Sequence, residues 1–363
     1  MRRKALFFVC AASLCPSPSW GGAILSSENR NFSANWLPAE IETRLDSNVY
    51  RAVTVGGIWS DLIYSLGGGG TLEGHGKDWK GLISYELGGD IYQTYSPLNN
   101  MKNNLGLRAS LIFGELELAY SKGYFLRTSA TDDFNYFDDD NLFEFAWIPA
   151  GVWNSTARFK SFSRQYFNES ASVRSRNFTD QGGLLNIHRE IDEHFSLEVS
   201  GSYNKRTFNR YAVGLNGGVF VNLPVLQADD TWTLHLGANF YFASVLQTVT
   251  LEGQRTDSDS YGFSNGARSA SWAAVLNPAG NFYLQLFFRL YHKQYDVSPL
   301  ALPTLQVGFI DDDSQNLLSI KQTWEISPQW TLNVSVSRLR NESDQPGLYY
   351  TKDLISAQIQ TKF

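Results

Sequence analysis

The feature that most constrains this chain is a period-two alternation of apolar and polar residues, repeated with polar turns between its copies. From about residue 190 onward, an aromatic residue follows a short polar turn and apolar residues then occupy every second position. The four segments are DEHFSLEVSGSY, DDTWTLHLGANFYF, AGNFYLQLFFRLY and SPQWTLNVSVSRL, opened by Phe195, Trp232, Phe282 and Trp330. Because side chains alternate across a strand, each segment predicts a β-strand with one apolar face.

The connections between these strands alternate between short turns and long polar stretches. A transmembrane barrel has this arrangement, with short turns on the periplasmic side and longer loops outside. Aromatic residues at the short-turn end would then lie at the membrane–water interface. The alternative is a soluble sandwich in which the same residues point into the core, but a sandwich gives no reason to collect the long loops at one end.

The hairpins predict an all-β fold, a transmembrane antiparallel up-and-down β-barrel of about 14 strands within a range of 12–16. Counting back from Phe363 places the first of the 14 strands near Trp79, with a two-residue turn at Gly114–Glu115. The segment 51–66 could add two strands or fold inside the barrel mouth. We assign 49–363 to the barrel and 24–48, which has little pattern, to a periplasmic or lumenal extension.

The N-terminus predicts an exported protein. Three basic residues precede the apolar run ALFFVCAASL, and small residues precede a cleavage site after Ala23, so residues 1–23 are interpreted as a signal peptide. The alternative is a short buried helix. Both cysteines, Cys10 and Cys15, lie in this segment, which leaves the mature chain without disulfide or thiolate chemistry.

Charge argues against a nucleic-acid partner. The chain has a formal net charge of −6, and removing the three basic residues of the signal peptide takes it to −9. No apolar run reaches the roughly 18–20 residues that a transmembrane helix requires.

The C-terminal strand ISAQIQTKF places Ile355, Ala357, Ile359 and Phe363 on one face. Together with the signal peptide and the hairpins, this ending resembles Gram-negative outer-membrane β-barrel proteins, whose last strand commonly ends on Phe. The resemblance implies that these four residues are recognised by the barrel-assembly machinery, that the chain lies in the outer membrane, and that it contacts membrane lipid and lipopolysaccharide. The last third is similar in style to β-barrel porins and to the barrels of surface-lipoprotein assembly modifiers, without their helical-repeat domain.

Five basic residues are the candidate lumenal charges. Arg158, Lys160 and Arg164 share one strand face, and Arg174 and Arg176 share the same parity on the next segment. A charge facing lipid at mid-depth costs roughly 2–4 kcal/mol, so these side chains should point into the lumen. They could form a selective anion-attracting patch, or they could be neutralised by lumenal acids such as Glu86, Asp90, Glu117 and Glu198.

Three further patterns suggest weaker hypotheses. The stretch FSNGARSASW is similar to the Ser-Asn-Gly stretch of outer-membrane phospholipases, but Gly262 stands where those enzymes place the histidine base for a serine such as Ser264. Acidic clusters at 132–133, 138–140 and 311–313 are interpreted as external loops that could bind Ca²⁺. The four glycines 67–70 predict a flexible loop. The five histidines have no metal-ligand spacing, and no cofactor or metal is expected.

These observations favour a channel or transporter for small polar or anionic solutes over an enzyme. A barrel that secretes or assembles a partner protein at the cell surface is the alternative. An outer-membrane enzyme that modifies lipid is less favoured.

Overall fold

The computed structural model describes residues 32–47, 60–129, 135–149, 153–167, 175–297, 315–341 and 350–361. In this part of the chain, sixteen antiparallel strands form one closed barrel in which each strand pairs with its sequence neighbours. Pairing of the first strand with the last closes the barrel, with Glu40 opposite Gln360. The strands are β1 (Phe32–Asp46), β2 (Asp61–His75), β3 (Trp79–Tyr92), β4 (Asn100–Phe113), β5 (Leu116–Ser129), β6 (Tyr136–Trp147), β7 (Trp153–Tyr166), β8 (Phe178–Glu190), β9 (Phe195–Asn216), β10 (Val219–Phe242), β11 (Val245–Ser258), β12 (Asn265–Ala279), β13 (Phe282–Tyr295), β14 (Gln315–Ser327), β15 (Trp330–Asn341) and β16 (Tyr350–Thr361).

The prediction of about 14 strands is corrected to 16. The 14 strands counted from Trp79 correspond to β3–β16, and β1 and β2 precede them. Most of the described part of the predicted extension is therefore barrel wall, because Phe32–Asp46 forms β1. A register shift between Leu37 and Glu40 interrupts the alternation of β1, and Pro38 within it lacks a backbone N–H. That irregularity explains why the sequence pattern missed this strand.

Most strand ends follow the predicted alternation of short and long connections, but β9 and β10 are joined by a two-residue turn where a long polar connection was predicted. Three of the four aromatic residues begin strands. Phe195, Phe282 and Trp330 begin β9, β13 and β15. Trp232 does not begin a strand: it lies inside β10, which starts after a turn at Gly217–Gly218. Both glycines have positive φ, as a tight two-residue hairpin turn requires. Because β10 begins directly after this turn, the polar residues before Trp232 belong to the strand and not to a loop.

The turn predicted at Gly114–Glu115 is confirmed: it joins β4 to β5, and Gly114 has a φ of 61°. The glycine run 67–70, in contrast, is not a loop. It lies within β2 and pairs with β1 on one side and β3 on the other. A Cβ atom on Gly67 would come within 3.1 Å of the Glu40 side chain, so the missing side chain makes room for that carboxylate.

One face of each strand carries exposed apolar residues, and the other face carries most of the polar ones. Because the sheet closes on itself, the polar faces line the lumen and the apolar faces form the outer surface. On β16, Ile355, Ala357 and Ile359 face outward, whereas Gln358 and Gln360 face inward. Phe363 and residues 1–23 lie outside the described part of the chain. Outward apolar residues include Ile83, Leu87, Leu107, Leu118, Phe143, Phe159, Leu185, Val199, Leu236, Leu251, Leu290, Ile320, Val336 and Ile359.

No helix in the described residues is long and apolar enough to pass through a bilayer.

Candidate functional site

The basic residues predicted on β7 lie on the lumenal face of that strand. Phe159, between two of them, points outward and is 65% exposed, so its neighbours Arg158 and Lys160 point inward. Arg164 has the same parity as Arg158. The register with β6 places Arg158 opposite Glu144 and Arg164 opposite Asp138. Two of the five candidate cations therefore lie opposite carboxylates on the neighbouring strand, and Lys160 lies 3.5 Å from a third carboxylate, that of Asp140.

The acidic run 138–140 is part of β6 and not an external loop, which corrects the sequence interpretation. Alternation along the strand divides its carboxylates between the two faces of the wall. Asp138 and Asp140 face the lumen, where they meet Arg164 and Lys160. Asp139 faces outward and forms a salt bridge with Lys122. The run looked like a loop because three consecutive acids are unusual in a strand, and only the neighbouring strands supply their partners.

The lumenal pairs are short and in part bidentate. Glu144 is shared by two guanidinium groups, at 2.9 Å from Arg108 and 2.5 Å from Arg158. Arg164 places two nitrogens at 2.8 Å from the two oxygens of Asp138. On β9, Arg206 contacts both oxygens of Asp180 at 2.8 and 2.9 Å. Bidentate guanidinium–carboxylate contacts fix the position of the arginine as well as its charge.

Within these pairs the cation is the more exposed partner. The side chain of Arg158 is 46% exposed, whereas that of Glu144 is 13% exposed. Arg206 is 42% exposed and Asp180 is 14% exposed. Lys102 and Asp90 on β4 and β3 show the same order. The acids therefore lie against the barrel wall and the cations lie over them. We call this surface the cation-covered wall: Lys102, Asp90, Arg108, Glu144, Arg158, Asp140, Lys160, Asp138, Arg164, Asp180 and Arg206.

The sequence left open whether these cations are neutralised or form a selective patch, and the structure pairs the three on β7 with carboxylates. The β7 cations are paired, but not with the acids named from the sequence. Asp90 pairs with Lys102, and Glu117 lies 3.9 Å from Arg108. Glu86 and Glu198 accept hydrogen bonds from the amides of Asn104 and Asn186. Sequence reasoning missed Glu144, although its place between the alternating aromatic residues Phe143 and Phe145 would have put it on the inner face.

Of the other two candidate cations, Arg176 lies just before β8, with its guanidinium 4.1 Å from the centre of the Tyr166 ring. Arg174 lies outside the described residues. Arg44 on β1 and Arg127 on β5 are further lumenal cations that were not predicted. Their Nε atoms are buried and have no hydrogen-bond partner in the described part of the chain.

Beside the cation-covered wall, on β1 and β3, the lumen carries carboxylates that no cation of the described residues covers. The Glu40 carboxylate accepts hydrogen bonds from the amides of Gln358, at 2.9 Å, and Gln360, at 3.3 Å. Glu86 and Glu42 complete this group, which we call the carboxylate wall: Glu40, Glu42 and Glu86 on β1 and β3. Lys321 on β14 interacts electrostatically with the carboxylates of Glu40 and Glu42, but it forms no salt bridge with either.

The remaining hypotheses gain little from the described contacts. The Ser264 hydroxyl accepts a hydrogen bond from the backbone N–H of Ser258, and no histidine or carboxylate side chain of the described residues is bonded to it. Gly262 has a φ of 83° in the same loop. No group of three or more His, Cys, Asp or Glu residues in the described ranges is placed to hold a metal ion. The acidic residues at 132–133 and 311–313 lie outside those ranges.

Solved structures similar to this chain share its fold at very low sequence identity. OmpT expressed in the outer membrane of Vibrio cholerae superimposes with a TM-score of 0.55 at 9% identity, covering 93% of this chain and 99% of that one. A loop L8 deletion mutant of OmpT from the same organism gives a TM-score of 0.53 at 8% identity, covering 91% and 99%. No protein-family model matches the sequence, and no curated protein matches it. The fold is that of outer-membrane β-barrel proteins.

Proposed function

We propose that this protein is an outer-membrane channel for small polar solutes that prefers anions. The outward faces of its strands are apolar, as the hydrocarbon of a bilayer requires, and the lumenal faces are polar. Barrels of 16 strands are wide enough to leave an aqueous passage. Short connections would lie on the periplasmic side and long ones outside.

The observation that carries the anion preference is the difference in exposure within the ion pairs of the cation-covered wall. A solute moving along the cation-covered wall meets guanidinium and ammonium groups first, because the carboxylates lie behind them. Arg44 and Arg127 add positive charge that no described carboxylate neutralises through a salt bridge. Selection would be electrostatic and steric at this wall, with no covalent step.

The test is the reversal potential of the purified barrel in a planar bilayer that separates two KCl concentrations. K⁺ and Cl⁻ have similar mobilities in water, so the sign of the potential reports which ion the pore favours. We expect discrete conductance steps and a sign that indicates Cl⁻. A reversal potential with the sign for K⁺ would refute the anion preference, and a barrel without conductance at every voltage would refute the channel.

A second function, surface assembly or secretion of a partner protein, is favoured by one feature. β9 and β10 contain 22 and 24 residues and extend beyond their pairing with β8 and β11. This extension exposes Tyr211, Leu215, Val219 and Val225, and exposed apolar patches often bind proteins. If this function is the correct one, exchanging the four residues for Ser should abolish partner capture in cells and leave the conductance unchanged.

A further inference from the structure

A cavity lies on the outer surface of the barrel and not in the lumen. It is a groove of about 760 Å³ that crosses strands β7–β12. Its floor includes Gly183, Gly201 and Gly253, which occupy outward positions on their strands. A Cβ atom on Gly201 or Gly253 would meet no heavy atom within 4 Å, so neighbouring side chains do not fill the space above these glycines.

Apolar side chains flank this floor. The cross-strand register places Gly201 between Leu185 and Leu234, and Leu234 in turn lies opposite Gly253. Phe159 and Trp232 extend the same surface, and the Trp232 ring lies 4.4 Å from that of Tyr203. A groove with these walls suits a hydrocarbon chain, which binds by burying apolar area.

A cation lies beside the apolar floor. Arg268 pairs in register with Gly253, points outward, and lies near the long-loop end of β12. Within the described part of the chain it forms no salt bridge or side-chain hydrogen bond. Its neighbour Arg255 is different, because Asp257 at 2.8 Å and Asp296 at 2.5 Å neutralise it. Arg268 is thus an outward cation at the edge of an apolar belt, and no described residue forms an ion pair with it.

Such a residue is unfavourable in a membrane unless it meets an anion or reaches the headgroup region. We infer that the groove binds one phosphate-bearing lipid of the outer leaflet, with an acyl chain over the three glycines and the phosphate against Arg268. His292, directly opposite Arg268 on β13, lies at the same end and offers a further hydrogen-bond donor. This inference is independent of whether the barrel conducts ions.

The experiment uses the full chain, freed of native lipid in detergent, and counts bound lipids by native mass spectrometry. The probes are dimyristoyl phosphatidylglycerol and dimyristoyl phosphatidylcholine, which have the same acyl chains and differ in net headgroup charge. We expect one molecule of the anionic lipid to bind roughly tenfold more tightly than the zwitterionic lipid, because a charge-assisted contact to Arg268 adds to acyl burial.

Two variants separate the contributions. Arg268→Gln should lower binding of the anionic lipid to the level of the zwitterionic one. The double variant Gly201→Leu with Gly253→Leu should weaken both lipids alike by filling the floor. Arg338→Gln is the matched control: Arg338 is also exposed on the outer surface, but its partner is Asp353. Each variant is checked for folding by the gel-mobility difference between unboiled and boiled samples.

Two results would overturn the inference. The first is an unchanged preference for the anionic lipid in Arg268→Gln, which would mean that Arg268 is not the residue that binds the lipid phosphate. The second is equally strong competition by inorganic phosphate alone, which would identify an anion site that needs no acyl chain.

Discussion

On the cation-covered wall the carboxylates lie behind guanidinium and ammonium groups. On the carboxylate wall, the hydrogen bonds that Glu40 and Glu86 accept from described side chains come from amides. Glu144 has two arginine partners, and Glu40 has two glutamine partners. Both arrangements satisfy the oxygens of a carboxylate, but only the first presents positive charge to the lumen. The sign of the surface that a solute meets therefore depends on which partner of each pair is exposed, and a count of charges does not reveal it.

The largest effect on the difference between the two walls should come from reversing the exposed charges on the cation-covered wall. The double variant Arg158→Glu with Lys160→Glu should change the ion preference from anions to cations. Two charges 4 Å apart in water interact by about 1 kcal/mol, so each reversed contact should alter the permeability ratio by roughly fivefold. The reversal potential in a KCl gradient measures the change.

Arg338→Gln is the control for this reversal, because it removes an exposed positive charge on the outer surface. It should leave the reversal potential as in the wild type. An unchanged preference in the double variant would show that these two side chains do not line the conducting path.

Removing a covered carboxylate should sharpen the difference. Glu144→Gln leaves Arg108 and Arg158 without their shared acid, so anion preference should rise while the barrel loses stability. Hydrogen bonds to charged groups typically contribute about 1.5–3 kcal/mol, and we expect a loss of about 2 kcal/mol in the free energy of unfolding. Urea titration in detergent measures it.

The comparison variant for Glu144 is Glu117→Gln, since Glu117 lies 3.9 Å from Arg108 and holds it less closely. Its unfolding midpoint should move less than that of Glu144→Gln. Equal losses of unfolding free energy in both variants would indicate that the two short contacts to Glu144 add no stability beyond that of any negative charge in the lumen.

A smaller effect is expected on the carboxylate wall. Glu40→Gln keeps hydrogen-bonding capacity toward Gln358 and Gln360, because amides can exchange donor and acceptor roles. The unfolding free energy should therefore change little, and anion preference should rise by less than the double reversal lowers it. A marked fall in conductance for all ions would show instead that Glu40 shapes the passage sterically.

The smallest effect concerns a pair outside the lumen. Hydrogen bonds from the Arg255 guanidinium hold the pKa of Asp296, which follows β13, below its ordinary value. A depressed pKa adds stability above the unfolded-state pKa, and this stability is lost as the pH falls through the folded-state pKa. The wild type should exceed Asp296→Asn slightly at pH 7, and the difference should begin to shrink below about pH 4 and vanish once the pH is below the depressed folded-state pKa. A difference that persists at low pH would exclude this ionisation as its origin.

Much of the barrel could be predicted from local pattern. Alternation around Phe195, Phe282 and Trp330 identified three strand starts, and Gly114 identified a turn. The same reasoning failed at β1, where a bulge beside Pro38 breaks the alternation, and at Trp232, where the strand begins earlier than the polar run suggests. Irregular strands depend on pairing with their neighbours, which no local pattern contains.

The lumenal site shows the same limit. The parity of Arg158, Lys160 and Arg164 was enough to place them on the inner face, because alternation is a property of the strand itself. Their partners Glu144, Asp140 and Asp138 depend on the register between β6 and β7. The register also decides that Gly201, Leu234, Gly253 and Arg268 adjoin across four strands. The sequence by itself determined which residues share a face, since that follows from backbone geometry. Only the tertiary structure decided which charges meet and which of them a solute or a lipid can reach, because both depend on contacts between strands far apart in the chain.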